Sequence, residues 1–230
     1  MSKGVFITGT DTGVGKTWFT LALMQAFKKR GYKTNGMKPV ASGGSYVNGK
    51  LMNNDARLIM QHCDEPVNYE HINPFVFEAP VSPNFAARNA GEIVELDQIV
   101  ASYNRLASAS DNIIVEGIGG WRVPISDKIR TADLVRELGI PVILVVGLRL
   151  GCINHAILTA EAIRADGINL CGWASNQLVK GYLYKDETLE LLNDELVCPN
   201  IASLDYMIDL DPVEMAKNID PSFILGCDPR

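Results

Sequence analysis

Short apolar runs rich in β-branched residues alternate along this chain with longer stretches whose apolar positions recur at helical spacing. Residues 4–8 (GVFIT) read as a buried strand. Residues 16–30 are apolar nearly all round, which predicts a helix buried on most sides. Its basic end, followed by Gly31, makes a helix stop. Residues 33–39 predict a second strand, closed by Pro39. Helices are expected over 53–63, 95–109, 153–166 and 185–196, with strands at 112–115, 141–146 and 170–175. This alternation implies an α/β fold over residues 1–230, a single domain with a mostly parallel sheet covered by helices on both faces. Residues 65–94 break the rhythm. They are rich in Pro and Asn and read as a long functional loop rather than a linker.

Composition narrows the function. The chain has 230 residues, enough for one α/β domain with a large core. Asp+Glu total 27 against Lys+Arg 21, a formal net charge of -6, and no basic run exceeds Lys28-Lys29-Arg30. That argues against nonspecific nucleic-acid binding, whose affinity comes from phosphate neutralisation. The start, Met1-Ser2-Lys3-Gly4, lacks signal-peptide architecture, and the longest apolar stretch, residues 140–148, is too short to span a bilayer. The five cysteines (Cys63, Cys152, Cys171, Cys198, Cys227) are scattered with no C-x-x-C pair, which suits free thiols in a reducing cytoplasm. The three histidines do not cluster, so no zinc site is indicated.

The segment GTDTGVGKT, residues 9–17, follows the first strand and opens the first helix. It matches the phosphate-loop pattern G-x-x-x-x-G-K-S/T except at the first glycine. Counting back from Gly15-Lys16-Thr17 reaches Thr10, and the glycine stands one residue earlier, at Gly9. In such a loop the backbone N–H groups of Gly13, Val14 and Gly15 bind phosphate oxygens at a helix N-terminus, and Trp18 sits on its first turn. Lys16 would reach the β- and γ-phosphates, and the Thr17 hydroxyl would ligate Mg²⁺. Asp11 and Thr12 stand where a second substrate could meet the phosphates. A phosphate loop also needs an acidic metal partner on a neighbouring strand. NIIVEGIGG supplies Glu116 at an expected strand end, followed by a glycine-rich turn of Gly117, Ile118, Gly119 and Gly120.

MKPVASGG follows the second strand. Pro39 holds Lys38 extended, so Lys38 ends that strand at the carboxyl edge where ligands bind in open parallel sheets. Taken alone, Lys38 reads as a surface lysine. Beside a phosphate loop it reads as a cation for an anionic acceptor, with Ser42 adding a hydroxyl. Asp55, at the start of a helical pattern, reads alone as an N-cap.

The ordered series GTDT-x-VGKT, KPVASG, VEG-x-GGW and VVG-x-x-LGCINHA resembles the motif series of the dethiobiotin synthetase family from residue 4 to about residue 177. The resemblance implies a homodimer of the P-loop NTPase superfamily that uses ATP and Mg²⁺. Its substrates would be 7,8-diaminononanoate and CO₂ (bicarbonate), its product dethiobiotin, in biotin synthesis. One amine captures CO₂ as a carbamate, ATP phosphorylates it, and the second amine closes a cyclic urea. By the resemblance, Thr12, Lys16, Lys38 and Ser42 contact substrate and carbamate, and Thr17, Asp55 and Glu116 hold metal. Gly117 to Gly119 flank the nucleotide, and Asn176 and Gln177 face the base. Pro80 lines the diamine site. Gly151, Cys152, Ile153 and Asn154 bind the diamine's carboxylate from the partner subunit, helped by Tyr182 or Tyr184. Two positions depart from the pattern. Gln177 stands where Asp is common, and a later Gly-Glu-Ile-Pro stretch is replaced by Ala202-Ser203-Leu204-Asp205.

Two other readings stay open. A cobyrinate-type amidase would need a glutaminase domain, for which this chain is too short. A partitioning or septum-positioning switch ATPase usually carries a lysine early in the loop and a basic or amphipathic surface. Here residue 11 is Asp and no such surface is evident.

Overall fold

A computed structural model describes residues 3–64 and 66–227. Met1 and Ser2, part of the start read above as leaderless, and Glu65, at the head of the irregular stretch, lie outside the described residues. The chain runs through β1 (Lys3–Gly9), α1 (Lys16–Lys29), β2 (Thr34–Met37), β3 (Val40–Ala41), β4 (Ser45–Val47) and β5 (Lys50–Met52). Then come α2 (Asn54–Gln61), α3 (Tyr69–Ile72), β6 (Phe75–Val76), α4 (Pro83–Ala90) and α5 (Leu96–Ala107). The second half holds β7 (Asn112–Gly120), α6 (Thr131–Leu138), β8 (Val142–Leu148), α7 (Cys152–Ala165) and β9 (Leu170–Gln177). It ends with α8 (Lys185–Leu196), β10 (Asn200–Leu204), α9 (Pro212–Met215), a 3₁₀ turn (Ala216–Asn218) and α10 (Ser222–Leu225).

The central sheet has 6 strands in the order β10-β9-β8-β1-β7-β2. All its pairings are parallel. Its central strands are largely buried, as a sheet covered on both faces requires: β8 is buried at every position. Neighbouring residues of β2 show the two covers. A side chain at Gly36 would strike Ile59 of α2 and Met24 of α1. The next residue back, Asn35, points the other way and donates to the Leu106 carbonyl of α5. The apolar α1 is buried through Phe19, Leu21, Leu23, Met24 and Phe27, and it ends as the sequence indicates, with Gly31 at φ 81.

Because β1 lies between β7 and β8, with its successor β2 beyond β7, the strand order reverses beside β1. The loop after β1 therefore opens into the crevice that such a reversal leaves.

Three expectations need correction. The strand expected at 112–115 continues to Gly120, so Glu116 sits within β7 rather than at its end. Ile7 pairs with Glu116 and Gly9 with Gly120 across a register shift. The glycines permit this close approach: a Cβ on Gly117 would lie 2.8 Å from the Phe6 ring. Second, residues 66–94 are not all irregular; α3, β6 and α4 stand there, and β6 pairs with β3 beside the main sheet. Third, β2 stops at Met37, leaving Lys38 one residue past the strand. Elements α6, β10 and the β4–β5 hairpin were not expected at all.

Candidate active site

The loop after β1 is held at both ends. The Thr10 N–H donates to the Val145 carbonyl of β8, 3.1 Å, and Gly15, at φ 91, caps α1 in the left-handed region. Gly13 is also left-handed, φ 76. Gly15 has a second constraint: a Cβ there would lie 2.0 Å from the Asn176 side-chain nitrogen. That amide donates 3.1 Å to the Val14 carbonyl, so the end of β9 props the loop from behind. Asp11 is tied down by its own neighbours. It accepts from the Thr12 N–H at 2.7 Å and pairs with Arg149. The Thr12 N–H, then Arg149, hold its carboxyl below the usual range.

One cleft of about 800 Å³ opens above this loop. Thr12, Gly13, Gly15, Lys16, Thr17 and Trp18 form the loop wall. Lys38, Ser42, Asp55 and Pro80 form the facing wall, and Glu116, Ile118 and Gly119 of β7 form the floor. Most sequence-predicted residues therefore converge. Val14 and Gly117 lie behind the lining, packed into the core and against Phe6.

The two lysines hold their charges differently. Lys16 is buried and donates to the Asp11 carbonyl at 3.0 Å. Burial first, and then the nearby Lys38, depress its pKa to about 8. Lys38 is equally buried, which works to lower its pKa, but Glu116 and Asp55 outweigh that and raise it. Its ammonium lies 2.6 Å from Glu116 Oε1 and 3.4 Å from Asp55 Oδ2. The Thr17 hydroxyl donates to the same Glu116 Oε1 at 2.9 Å.

Glu116 is 1% exposed, and its Oε2 has no hydrogen-bond partner among the described residues. A buried carboxylate oxygen left open beside a hydroxyl and a second carboxylate is a fit for a divalent cation. Among the described residues, no cluster of three or more His, Cys, Asp or Glu forms a protein-only metal cage. Two carboxylates and a hydroxyl instead suit a hard ion such as Mg²⁺, which keeps waters and takes phosphate oxygens from its nucleotide.

The facing wall rests on residues the sequence reading missed. Asn53, not Asp55, caps α2: its side chain accepts from the Ala56 N–H at 3.2 Å and donates to the Ser42 carbonyl at 3.3 Å. Tyr69 of α3 accepts from the Asn53 N–H at 2.7 Å and donates to Asn73 Oδ1 at 2.8 Å. Asn73 in turn donates to the Lys38 carbonyl at 2.7 Å, while the Lys38 N–H donates to Ile72 O at 2.8 Å. Further on, the Gly43 N–H donates to Ala79 O, which sets Pro80 against Gly43 beside Ser42. Asn54, Leu58, Val81, Ser82, Pro83 and Val123 also line the cleft. Among these, the adjacent Asn53-Asn54-Asp55 and the prolines of APVSP carried the only local signals.

Gly151, Cys152, Ile153 and Asn154 are not in this cleft. They open α7, with Gly151 left-handed at φ 93 and Asn154 exposed. A second groove, about 420 Å³, lies between that helix and the back of the loop, lined by Thr10, Asp11, Trp121, Arg122, Leu158 and Thr159. Tyr182 reaches within 3.7 Å of the Cys152 sulfur, whereas Tyr184 is 74% exposed. Gln177 turns its amide to the Val179 carbonyl, 2.9 Å. Ala202, Ser203 and Leu204 lie in β10, and Asp205 pairs with Lys185 at 2.6 Å.

A glycine loop between a β-strand and a helix, with a lysine, a threonine hydroxyl and a carboxylate on a neighbouring parallel strand, defines a P-loop NTPase. Solved structures agree on the fold. A ParA family ATPase from Chlorobium tepidum is 11% identical, covers 99% of this chain and 100% of its own, and superposes at a TM-score of 0.58. The MinC:MinD cell division complex of Aquifex aeolicus is 15% identical, with 97% and 94% covered and a TM-score of 0.57. A family model described as an AAA domain matches residues 3–214. Sequence relatives are more specific. The ATP-dependent dethiobiotin synthetase of Aromatoleum aromaticum is 41% identical over 214 residues, 93% of this chain and 95% of that one. That of Vibrio vulnificus is 40% identical over 228 residues, 98% and 99% of the two chains. The chain belongs to the ATP-dependent dethiobiotin synthetase family, a family of ligases, and the similarity extends beyond residue 177 into the last fifty residues.

Proposed function

We propose that residues 1–230 act as one enzyme that converts 7,8-diaminononanoate, CO₂ and ATP to dethiobiotin, ADP and phosphate in the cytoplasm. Family membership supports the reaction. The observation that carries the site assignment is the meeting of Lys16, Lys38 and Glu116 in one cleft with Ser42 and Pro80 on its far wall. No described helix is long and apolar enough to cross a membrane.

The loop N–H groups from Gly13 to Thr17 hold the β- and γ-phosphates, and Lys16 turns from Asp11 to meet them. Asn176 and Gln177, at the end of β9, border the base. Thr17, Asp55 and Glu116 would hold Mg²⁺, which supplies charge neutralisation for the transferring phosphoryl group. Thr12, Ser42 and Pro80 position the diamine. One amine adds to CO₂ and gives up a proton to solvent, and an oxygen of the resulting carbamate attacks the γ-phosphorus as the bond to ADP breaks. The second amine then attacks the carbamate carbon, closing the urea and expelling phosphate with that oxygen. Lys38 balances charge as the carbamate and phosphate anions approach. Ring closure is intramolecular, so placement matters more than proton transfer, and no nucleophilic side chain is required.

The turn at Gly151 to Asn154, exposed at Gly151 and Asn154, fits a homodimer in which each subunit offers this turn, backed by Tyr182, to the substrate carboxylate of its neighbour. Omission assays test the whole reading. ADP should form only when diamine and bicarbonate are both present, with one cyclic urea per ADP by mass spectrometry. ADP at full rate without diamine, or no urea product, would replace this reading with a switch ATPase.

A further inference from the structure

Lys38 occupies the gap between the two carboxylates assigned above to the metal. Its ammonium touches Glu116 Oε1 at 2.6 Å, Asp55 Oδ2 at 3.4 Å and the Gly117 carbonyl at 3.4 Å. Three oxygens thus surround a cation that has three N–H donors, with Thr17 hydrogen-bonded to one of them. The cage is buried on its Glu116 side and open on its Asp55 side: the Lys38 side chain is 5% exposed, that of Glu116 1% and that of Asp55 41%. An uncompensated carboxylate there would be costly, so some cation must stand beside Glu116 in the ligand-free protein.

The geometry points to Lys38 as a resident cation that a divalent metal displaces from between Glu116 and Asp55 when it binds, freeing the ammonium to swing toward the acceptor side of the cleft. This rests on the metal reading proposed above and adds a sequence to it.

The position of the ammonium argues for exchange rather than coexistence. A metal drawing on Thr17, Asp55 and Glu116 together must approach the space these groups enclose, and the ammonium already fills it. The hydroxyl of Thr17 donates to Glu116 Oε1 and keeps its lone pairs for a metal, so that bond can persist while the ammonium leaves. Glu116 Oε2 is buried without a hydrogen-bond partner among the described residues, so the carboxylate keeps unused acceptor capacity for an ion that takes the ammonium's place. Lys38 is thereby kept away from the acceptor position until the metal arrives, and the wall that would bind carbamate is armed only in the loaded site.

Metal binding, read without turnover, tests this. Mn²⁺ alone is titrated into the full-length protein and followed by electron paramagnetic resonance, with Lys38→Met and Glu116→Gln variants. Competition lowers apparent affinity by the fraction of sites the rival leaves open, so Lys38→Met should bind Mn²⁺ roughly tenfold or more tightly than the natural protein. Glu116→Gln should lose binding. In the natural protein, Mg²⁺ should also shift or abolish the hydrogen-bonded ammonium NMR signal of Lys38, a readout that holds even if Lys38→Met folds poorly. Binding that needs Glu116 but is equal or weaker in Lys38→Met, with the ammonium signal unmoved by Mg²⁺, would overturn displacement and leave the metal site standing. Binding indifferent to Glu116→Gln would overturn the metal site itself.

Discussion

The two walls of the cleft solve the same problem, holding a lysine out of water, by opposite means. The phosphate loop is one continuous peptide from Gly9 to Thr17, fixed by left-handed glycines and propped from outside by Val145, Arg149 and Asn176. Among the described residues Lys16 has a backbone carbonyl as its hydrogen-bond partner, and burial drags its pKa to about 8. The acceptor wall is assembled from Lys38, α2, α3 and β7, and it surrounds Lys38 with carboxylates. The loop thus keeps its lysine poorly satisfied and ready for phosphate, while the other wall keeps its lysine fully engaged until a rival cation comes. Preorganisation on one side and occupancy on the other are two routes to charge placed where the reaction needs it.

The largest effect should come from breaking the loop side. Lys16→Ala should lower kcat/KM by about 1000-fold or more, since it removes a cation from both nucleotide binding and phosphoryl transfer. Steady-state ADP release checks this. Lys38→Ala should lower kcat by about 100- to 1000-fold while nucleotide affinity changes little, as befits a charge that serves the acceptor. Near-normal turnover at saturating substrate would remove Lys38 from that role. Trp18, on the cleft wall, offers a fluorescence signal for the binding half of the comparison.

The chain Tyr69–Asn73–Lys38 is a finer probe of the acceptor wall. Asn73→Ala strips a buried hydrogen bond from the Lys38 carbonyl, so it should cost about 1–3 kcal/mol of stability. It should also lower kcat more than it raises the KM for ATP. Equal loss in both parameters would mean that the network supports the fold and not Lys38.

The smallest expected effect is a pH dependence confined to the loop. Lys16 has a folded-state pKa below its ordinary 10.5, so the unfolded chain binds more protons between about 8 and 10.5. Its burial cost is full below pH 8 and is relieved above it, so this lysine makes the ligand-free protein more stable as pH rises through that window. ATP needs the charged form, so its affinity should fall over the same window, with proton uptake on binding. Calorimetric ATP binding in two buffers of different ionisation heat reads both. Flat affinity from pH 7 to 10 would contradict the depressed pKa.

The same contrast explains what the sequence disclosed. The loop is local: glycine spacing, the flanking strand and the buried helix sit within thirty residues, and all were readable. Lys38 and Glu116 were found because each follows or lies in a strand of the parallel sheet, whose carboxyl ends share one edge. What supports Lys38 was not readable. Asn53, Tyr69 and Asn73 act through backbone hydrogen bonds across sequence gaps, and a polar stretch rich in Pro and Asn looks like loop until its partners are known. Glu116 was placed at a strand end because glycines normally stop strands. Here they let β7 run on against β1, with Gly117 close to Phe6. Helix α6 and strand β10 lack a long enough apolar period to announce themselves.

The most direct test of the central claim follows one oxygen atom. If a carbamate oxygen attacks the γ-phosphorus and later leaves with it, ¹⁸O-labelled CO₂, supplied in unlabelled water and sampled before it exchanges, must deliver one ¹⁸O to each inorganic phosphate. Mass spectrometry of the phosphate should show that single label, appearing only with diamine present. Phosphate that takes its new oxygen from water instead would mean that the cleft hydrolyses ATP and that no carbamate is phosphorylated there.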